Sequence, residues 1–185
     1  TPEVINDTPL DDRDAGVCAF PDGGILVSWF TSHYEDYTPI WQGHAGKWGG
    51  ADKEKARWDA QLSGVGPEDL ETWTHHRSGN RSVGYWVRYS PDGGRTWDAP
   101  SATPCMAPHG PAVLENGSLL YVGLATINRE RQLVAARSDD RGKSWQGPYR
   151  VEVKADQEQP GDLTSRTDYI VLGPDECLVF MSAET

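Results

Sequence analysis

The sequence predicts an all-β chain built on a repeated four-stranded sheet, and three observations carry that prediction. An octet of the form S-x-D-x-G-x-[ST]-W occurs twice, as Ser90 to Trp97 and as Ser138 to Trp145, at an offset of 48 residues. A strand, tight turn, strand pattern occurs three times, around Asp22-Gly23-Gly24, Glu115-Asn116-Gly117 and Pro174-Asp175-Glu176. Strand-like runs precede both octets, and each octet leads into a short segment ending near Pro. With 37% hydrophobic residues over 185 positions there is material for a core, while no run of about 18 apolar residues spans a bilayer.

Taken in order, residues 15–30 read as the first hairpin, with Gly supplying the positive φ of its turn. Residues 31–82 interrupt the pattern. They carry four Trp and four of the five His, with helix-like stretches at 51–62 and 67–73, and long insertions of this kind are functional lids or decoration. The third strand follows at 83–89, and the first octet turns it into a fourth. In the octet the Asp accepts bonds from backbone N–H groups ahead of it, Gly turns the chain, the Ser or Thr hydroxyl closes the network and Trp anchors the next strand. Residues 110–123 repeat the hairpin, 132–137 repeat the third strand and the second octet repeats the turn; 167–181 open another hairpin.

Each unit is hairpin, strand, octet, strand, and four-stranded units recurring every 40 to 60 residues, roughly, are propeller blades. The chain thus divides into a blade at 13–104, with its insertion at 31–82, a blade at 107–155 and the start of a further blade at 164–185. Propellers close with typically about four to eight blades. About two and a half are expected here, so the sequence reads as part of a longer protein whose remaining blades complete the ring. Thr1 opens with neither an initiator Met nor a leader-like segment, in keeping with that expectation.

Charge and composition narrow the partners. The 28 acidic and 17 basic side chains leave a net charge of −11 without a basic stripe, which argues against nucleic acid and requires any anionic ligand to meet locally placed arginines. Cys18, Cys105 and Cys177 are odd in number and far apart, and read as buried free thiols. The octets lack the twelfth-position Glu of a calcium loop, since Thr103 and Arg150 stand there, and His75-His76 lacks a second ligand pair. No metal and no cofactor is expected. Three glycosylation triplets, at Asn6, Asn80 and Asn116, matter only on a secretory route.

The octets Ser90-x-Asp92-x-Gly94-x-Thr96-Trp97 and Ser138-x-Asp140-x-Gly142-x-Ser144-Trp145 resemble the Asp boxes, or BNR repeats, of the sialidase (neuraminidase) superfamily, and the unit around them is similar to its blade. The resemblance covers most of the chain outside the insertion. It implies a six-bladed β-propeller, a glycoside hydrolase that releases terminal sialic acid, a sialylated glycan or related acidic sugar as partner, and a structural role for the eight-residue boxes, which lie away from the substrate face. Members of the superfamily often work outside the cytoplasm. Asp boxes also occur in propellers with other roles, so a non-catalytic propeller binding glycan or protein, or a hydrolase of another sugar, are the alternatives.

Substrate in such a fold sits over the channel, near the starts of the innermost strands. Counting nine residues back from the turn residues Asp22, Asn116 and Asp175 gives Arg13, Ala107 and Arg166. A guanidinium fork binds a carboxylate bidentately and stays charged at any pH, and the resemblance implies an arginine triad for the sialic acid carboxylate. Arg13 and Arg166 are candidates for two members; pairing with the neighbouring acids Asp12, Asp14 or Asp168 is the alternative reading. The resemblance further implies an Asp proton donor, for which Asp14 and Asp36 are candidates, and a Tyr/Glu nucleophile expected in the missing blades. His109 is a candidate hydrogen-bond donor to sugar hydroxyls or else a capping histidine. The 185 residues alone are expected to be inactive.

Overall fold

The computed structural model describes residues 4–6, 11–32, 56, 60, 63, 84–128, 130–152 and 163–183. Among them every named element is a strand: β1 (Asp11–Ala19), β2 (Ile25–Ser32), β3 (Gly84–Ser90), β4 (Ser101–Ala102), β5 (Ala112–Val113), β6 (Leu119–Ile127), β7 (Glu130–Ser138), β8 (Gln146–Arg150), β9 (Leu163–Gly173) and β10 (Glu176–Ala183). They form sheets in the orders β1-β2-β3-β4 and β5-β6-β7-β8, with β9 and β10 as an antiparallel pair. The all-β, antiparallel expectation holds, and the octets join β3 to β4 and β7 to β8 as read from the sequence. Of the two helix-like stretches in the insertion, only Ala56 and Ala60 are described, both helical; the rest lies outside the described residues. Among the described residues no helix is long and apolar enough to cross a membrane.

The chain divides into two compact units, Thr1–Arg13 with Phe30–Gly84 and Asp14–Trp29 with Tyr85–Thr185. In the first, the Thr31 hydroxyl donates to Asp12 Oδ1 and the Ser63 hydroxyl to the Ala60 carbonyl. The second holds the core. Phe20, Leu26 and Val87 from one sheet pack with Leu119 from the next, and Trp145 lies against them. Leu26 and Leu119 are fully buried, each contributing about 1.5–3 kcal/mol of transfer free energy. A second cluster joins Cys105, Ala107, Tyr121, Ala125, Val134 and Ala136, with Trp145 again at its edge, 5.8 Å from the Tyr121 ring. Thus the octet Trp is a wedge between sheets. The three cysteines are free; burial pushes the Cys18 and Cys105 thiols up to about 12.

The inner edge of β6 has an unusual set of partners. β5 is only two residues long and pairs with Leu119 and Leu120 alone. Further along, Leu124 exchanges both backbone bonds with Met106, at 2.9 and 3.1 Å. Between them the Val122 N–H donates to the Tyr169 hydroxyl (2.9 Å), which donates back to the Val122 carbonyl (2.9 Å), where the Thr167 hydroxyl also donates (3.0 Å). Side chains of β9 therefore finish a ladder that β5 leaves incomplete, as a buried backbone requires.

Candidate functional site

Both octets fold around the same Ser–Asp–Ser/Thr network, but only the first Trp donates its indole N–H within it. The Asp92 carboxylate accepts from the backbone N–H groups of Arg95 (3.0 Å) and Thr96 (2.8 Å), from the Thr96 hydroxyl (2.8 Å) and from Ser90 (2.9 Å). Asp140 accepts from the Ser144 N–H, the Ser144 hydroxyl and Ser138. The Ser90 and Ser138 hydroxyls in turn accept from the N–H groups of Gly94 (2.7 Å) and Gly142 (2.9 Å), and the Trp97 indole donates to the Gly94 carbonyl. These bonds, the Thr96 backbone N–H first, hold the Asp92 carboxyl down at about 2. For Asp140, desolvation pushes upward and the bonds from Ser144 and Ser138 outweigh it, so its carboxyl also lies below the ordinary value. Each is pinned as an anion with its lone pairs occupied, a structural arrangement with no proton to give at neutral pH.

The two octets differ in one of the two left-handed residues of their turns. Box one turns on Gly93 (φ 70°) and Gly94 (φ 95°), whereas box two turns on Arg141 (φ 63°) and Gly142 (φ 83°). Arg141 offsets its left-handed strain by reaching the neighbouring hairpin, with its guanidinium 4.0 Å from the Phe20 ring centroid and 2.8 Å from Asp22 Oδ2. Nothing in the octet pattern distinguishes Arg141, since its fourth position is variable.

The first strands of the three sheets, β1, β5 and β9, each contain or directly follow an irregularity of the backbone. In β1, Asp14 has φ 54° and is exposed. Just before β5, Gly110 has φ 79°, and exposed His109 precedes it. In β9, Leu163 pairs with Ala183 and Thr167 with Met181, so three residues, 164–166, face one on β10 in a bulge containing Arg166. The β1 and pre-β5 backbones touch with no side chain between them: a Cβ on Gly16 would lie 2.4 Å from Gly110 N, and one on Gly110 would lie 2.7 Å from Ser28 Oγ. Bulges and left-handed residues re-aim side chains and cluster at functional sites.

The predicted site residues fall as follows. Arg13 is half-buried in β1 and engaged in interactions; Arg166 has its backbone in β9 and its side chain outside the described residues. Asp36 also lies outside the described residues. Ala107 is buried, and its N–H and C=O are both taken by the Tyr121 hydroxyl, at 3.2 and 3.0 Å. That position in the second sheet belongs to the core. The third hairpin also differs from the first two: Phe20 pairs with Gly24 and Leu114 with Ser118 across three turn residues, whereas Gly173 pairs with Glu176 across two, followed by a register shift. An equal count of nine residues therefore does not carry one register from hairpin to hairpin: residues 164–166 bulge in β9, and the pairing of Met106 with Leu124 is two residues out of step with that of Ala112 with Leu120. Sequence reasoning missed the tyrosine hydroxyls of Tyr121 and Tyr169, each seated on the N–H and C=O of one residue. Burial pushes the Tyr169 phenol up to about 12 and the Tyr121 phenol higher. Among the described residues no group of three His, Cys, Asp or Glu side chains is arranged to hold a metal.

No protein-family model matches the chain, and no curated protein matches it. Among solved structures it is similar to a protein described as of unknown function from Dyadobacter fermentans DSM 18053, at 17% identity and a TM-score of 0.58, over 100% of this chain and 47% of that one. The likeness is one of fold. The chain spans about half the length of that relative.

Proposed function

We propose that the chain is part of a six-bladed, sialidase-like propeller hydrolase that releases terminal sialic acid from glycans. The observation that supports this reading most is the backbone irregularity in β1, just before β5 and in β9, with an arginine in two of the three strands, in a chain that also carries two complete Asp boxes. In this reading Arg13 and Arg166 bind the carboxylate, Asp14 or Asp36 protonates the leaving oxygen, and His109 donates to sugar hydroxyls. An arginine in a bulge suits a ligand-facing role because the bulge frees its side chain from the alternation of the strand.

The rest of the ring is supplied by further blades of the same protein. Ile170, Leu178 and Phe180 lie on one face of the β9-β10 pair at 51, 48 and 50% exposure, opposite the face whose Tyr169 meets β6. A blade laid there would cover them. The test is hydrolysis of a fluorogenic sialoside by the whole protein. Turnover that falls at least about tenfold in kcat/KM for Arg13→Ala and for Arg166→Ala, the loss of a charge-assisted bond to the substrate, is expected. Sialic acid binding without turnover would favour the non-catalytic alternative, and neither binding nor turnover would remove the acidic sugar altogether.

A further inference from the structure

Away from that site, the turn between β5 and β6 holds the only Asn-Gly pair in the sequence, Asn116-Gly117. Asn116 is exposed. Its Oδ1 accepts from the Ser118 backbone N–H (3.0 Å) and the Ser118 hydroxyl (2.6 Å), which folds the side chain back along the main chain and draws electron density from its amide carbon. Gly117 has φ 81°, and a Cβ built there would meet nothing within 4 Å, so no side chain crowds the peptide next to that amide. Asn116 Nδ2 donates to Asp175 Oδ1 (3.2 Å), which Arg137 Nη1 also reaches (2.9 Å). One amide thus caps its own turn and ties it to the turn of the third hairpin.

We propose that Asn116 is a self-modification site, where deamidation converts a neutral bridge between two hairpins into a like-charge contact. The Gly117 backbone nitrogen attacks the Asn116 side-chain carbonyl carbon; a C–N bond forms, the bond to the side-chain nitrogen breaks, and ammonia leaves with the proton given up by Gly117. Water then opens the cyclic imide at either carbonyl, giving aspartate or isoaspartate. The Gly117 N–H donates to the Leu114 carbonyl (2.8 Å), so the reaction proceeds from openings of that bond. The aspartate product keeps the turn, because Asp22 fills the same position in the first hairpin and caps the Gly24 N–H at 3.1 Å. It sets a carboxylate against Asp175, so that a third anion joins Asp175 (2.9 Å) and Asp139 (3.0 Å), which Arg137 already serves. The isoaspartate product adds a main-chain carbon and breaks the Leu114 to Ser118 pairing.

The experiment is peptide mapping by mass spectrometry of the 185-residue chain held for weeks at mildly alkaline pH. Conversion at Asn116 several-fold faster than at Asn6, Asn80 or Asn128, with both acidic isomers present, is the expected result. Ser118→Ala, which removes one of the two bonds to Oδ1, should slow it. Asn116→Asp should melt below the parent in low salt and regain most of the difference in high salt. Conversion no faster than at Asn128, or indifference to Ser118→Ala, overturns the site; an unchanged melting temperature for Asn116→Asp in low salt overturns the like-charge contact.

Discussion

The Ser, Asp and Thr side chains of the octets are set by bonds that reach no further than four residues. Asp92 illustrates the consequence for acid stability. Its folded carboxyl is held at about 2 against an ordinary 3.8, so the folded state takes up a proton less readily than the unfolded chain. The stability this group supplies is complete above the unfolded value and is lost as pH falls from 3.8 toward 2. Asp92→Asn should lower the melting temperature at neutral pH and flatten its decline over that acid range, as followed by circular dichroism; parallel declines for parent and variant would show that the bonds do not couple to folding. The same locality is why the octets were readable from the chain alone: donor, acceptor and turn residue all lie within one short window. Arg141 was not readable, because its partners Phe20 and Asp22 lie some 120 positions earlier in sequence and its left-handed φ breaks the usual preference for Gly.

Strands were readable for a similar reason, and their registers were not. Alternating apolar residues and turns bearing Gly, Asn or Pro-Asp mark the three hairpins, but the third turn's shorter span and the bulge at 164–166 depend on pairing across strands. The offset that equated Arg13 with Arg166 counts residues and cannot see a bulge. Nor could it see that Ala107 is buried beneath the Tyr121 hydroxyl. The tyrosines make the element-scale prediction. Tyr169→Phe removes one hydroxyl and leaves the Val122 N–H without a partner, with the Val122 carbonyl served by Thr167 alone. A buried donor left unpaired costs about 1–3 kcal/mol. Urea denaturation should show a loss of that size, and amide exchange at Val122 should accelerate ahead of the rest of β6; a variant as stable as the parent would mean that water replaces the hydroxyl without penalty.

At the scale of the whole chain, apolar area is left bare. Ile170, Leu178 and Phe180 share one face, and a patch of this kind on an isolated protein promotes association. The double variant Ile170→Lys, Phe180→Glu should cut both light scattering and the fluorescence of a hydrophobic dye without lowering the melting temperature of the 185-residue chain. A fall in stability instead would mean that the face is already covered. One last consequence follows from the way the sheets meet. The Trp145 indole, the Arg141 guanidinium and the Tyr169 and Thr167 hydroxyls all come from the later sheet, while Leu26, Phe20, Asp22 and the Val122 backbone that receive them belong to the earlier one. A chain leaving the ribosome therefore finds each landing platform already synthesised before the groups that grip it emerge, and assembly can proceed in the direction of translation.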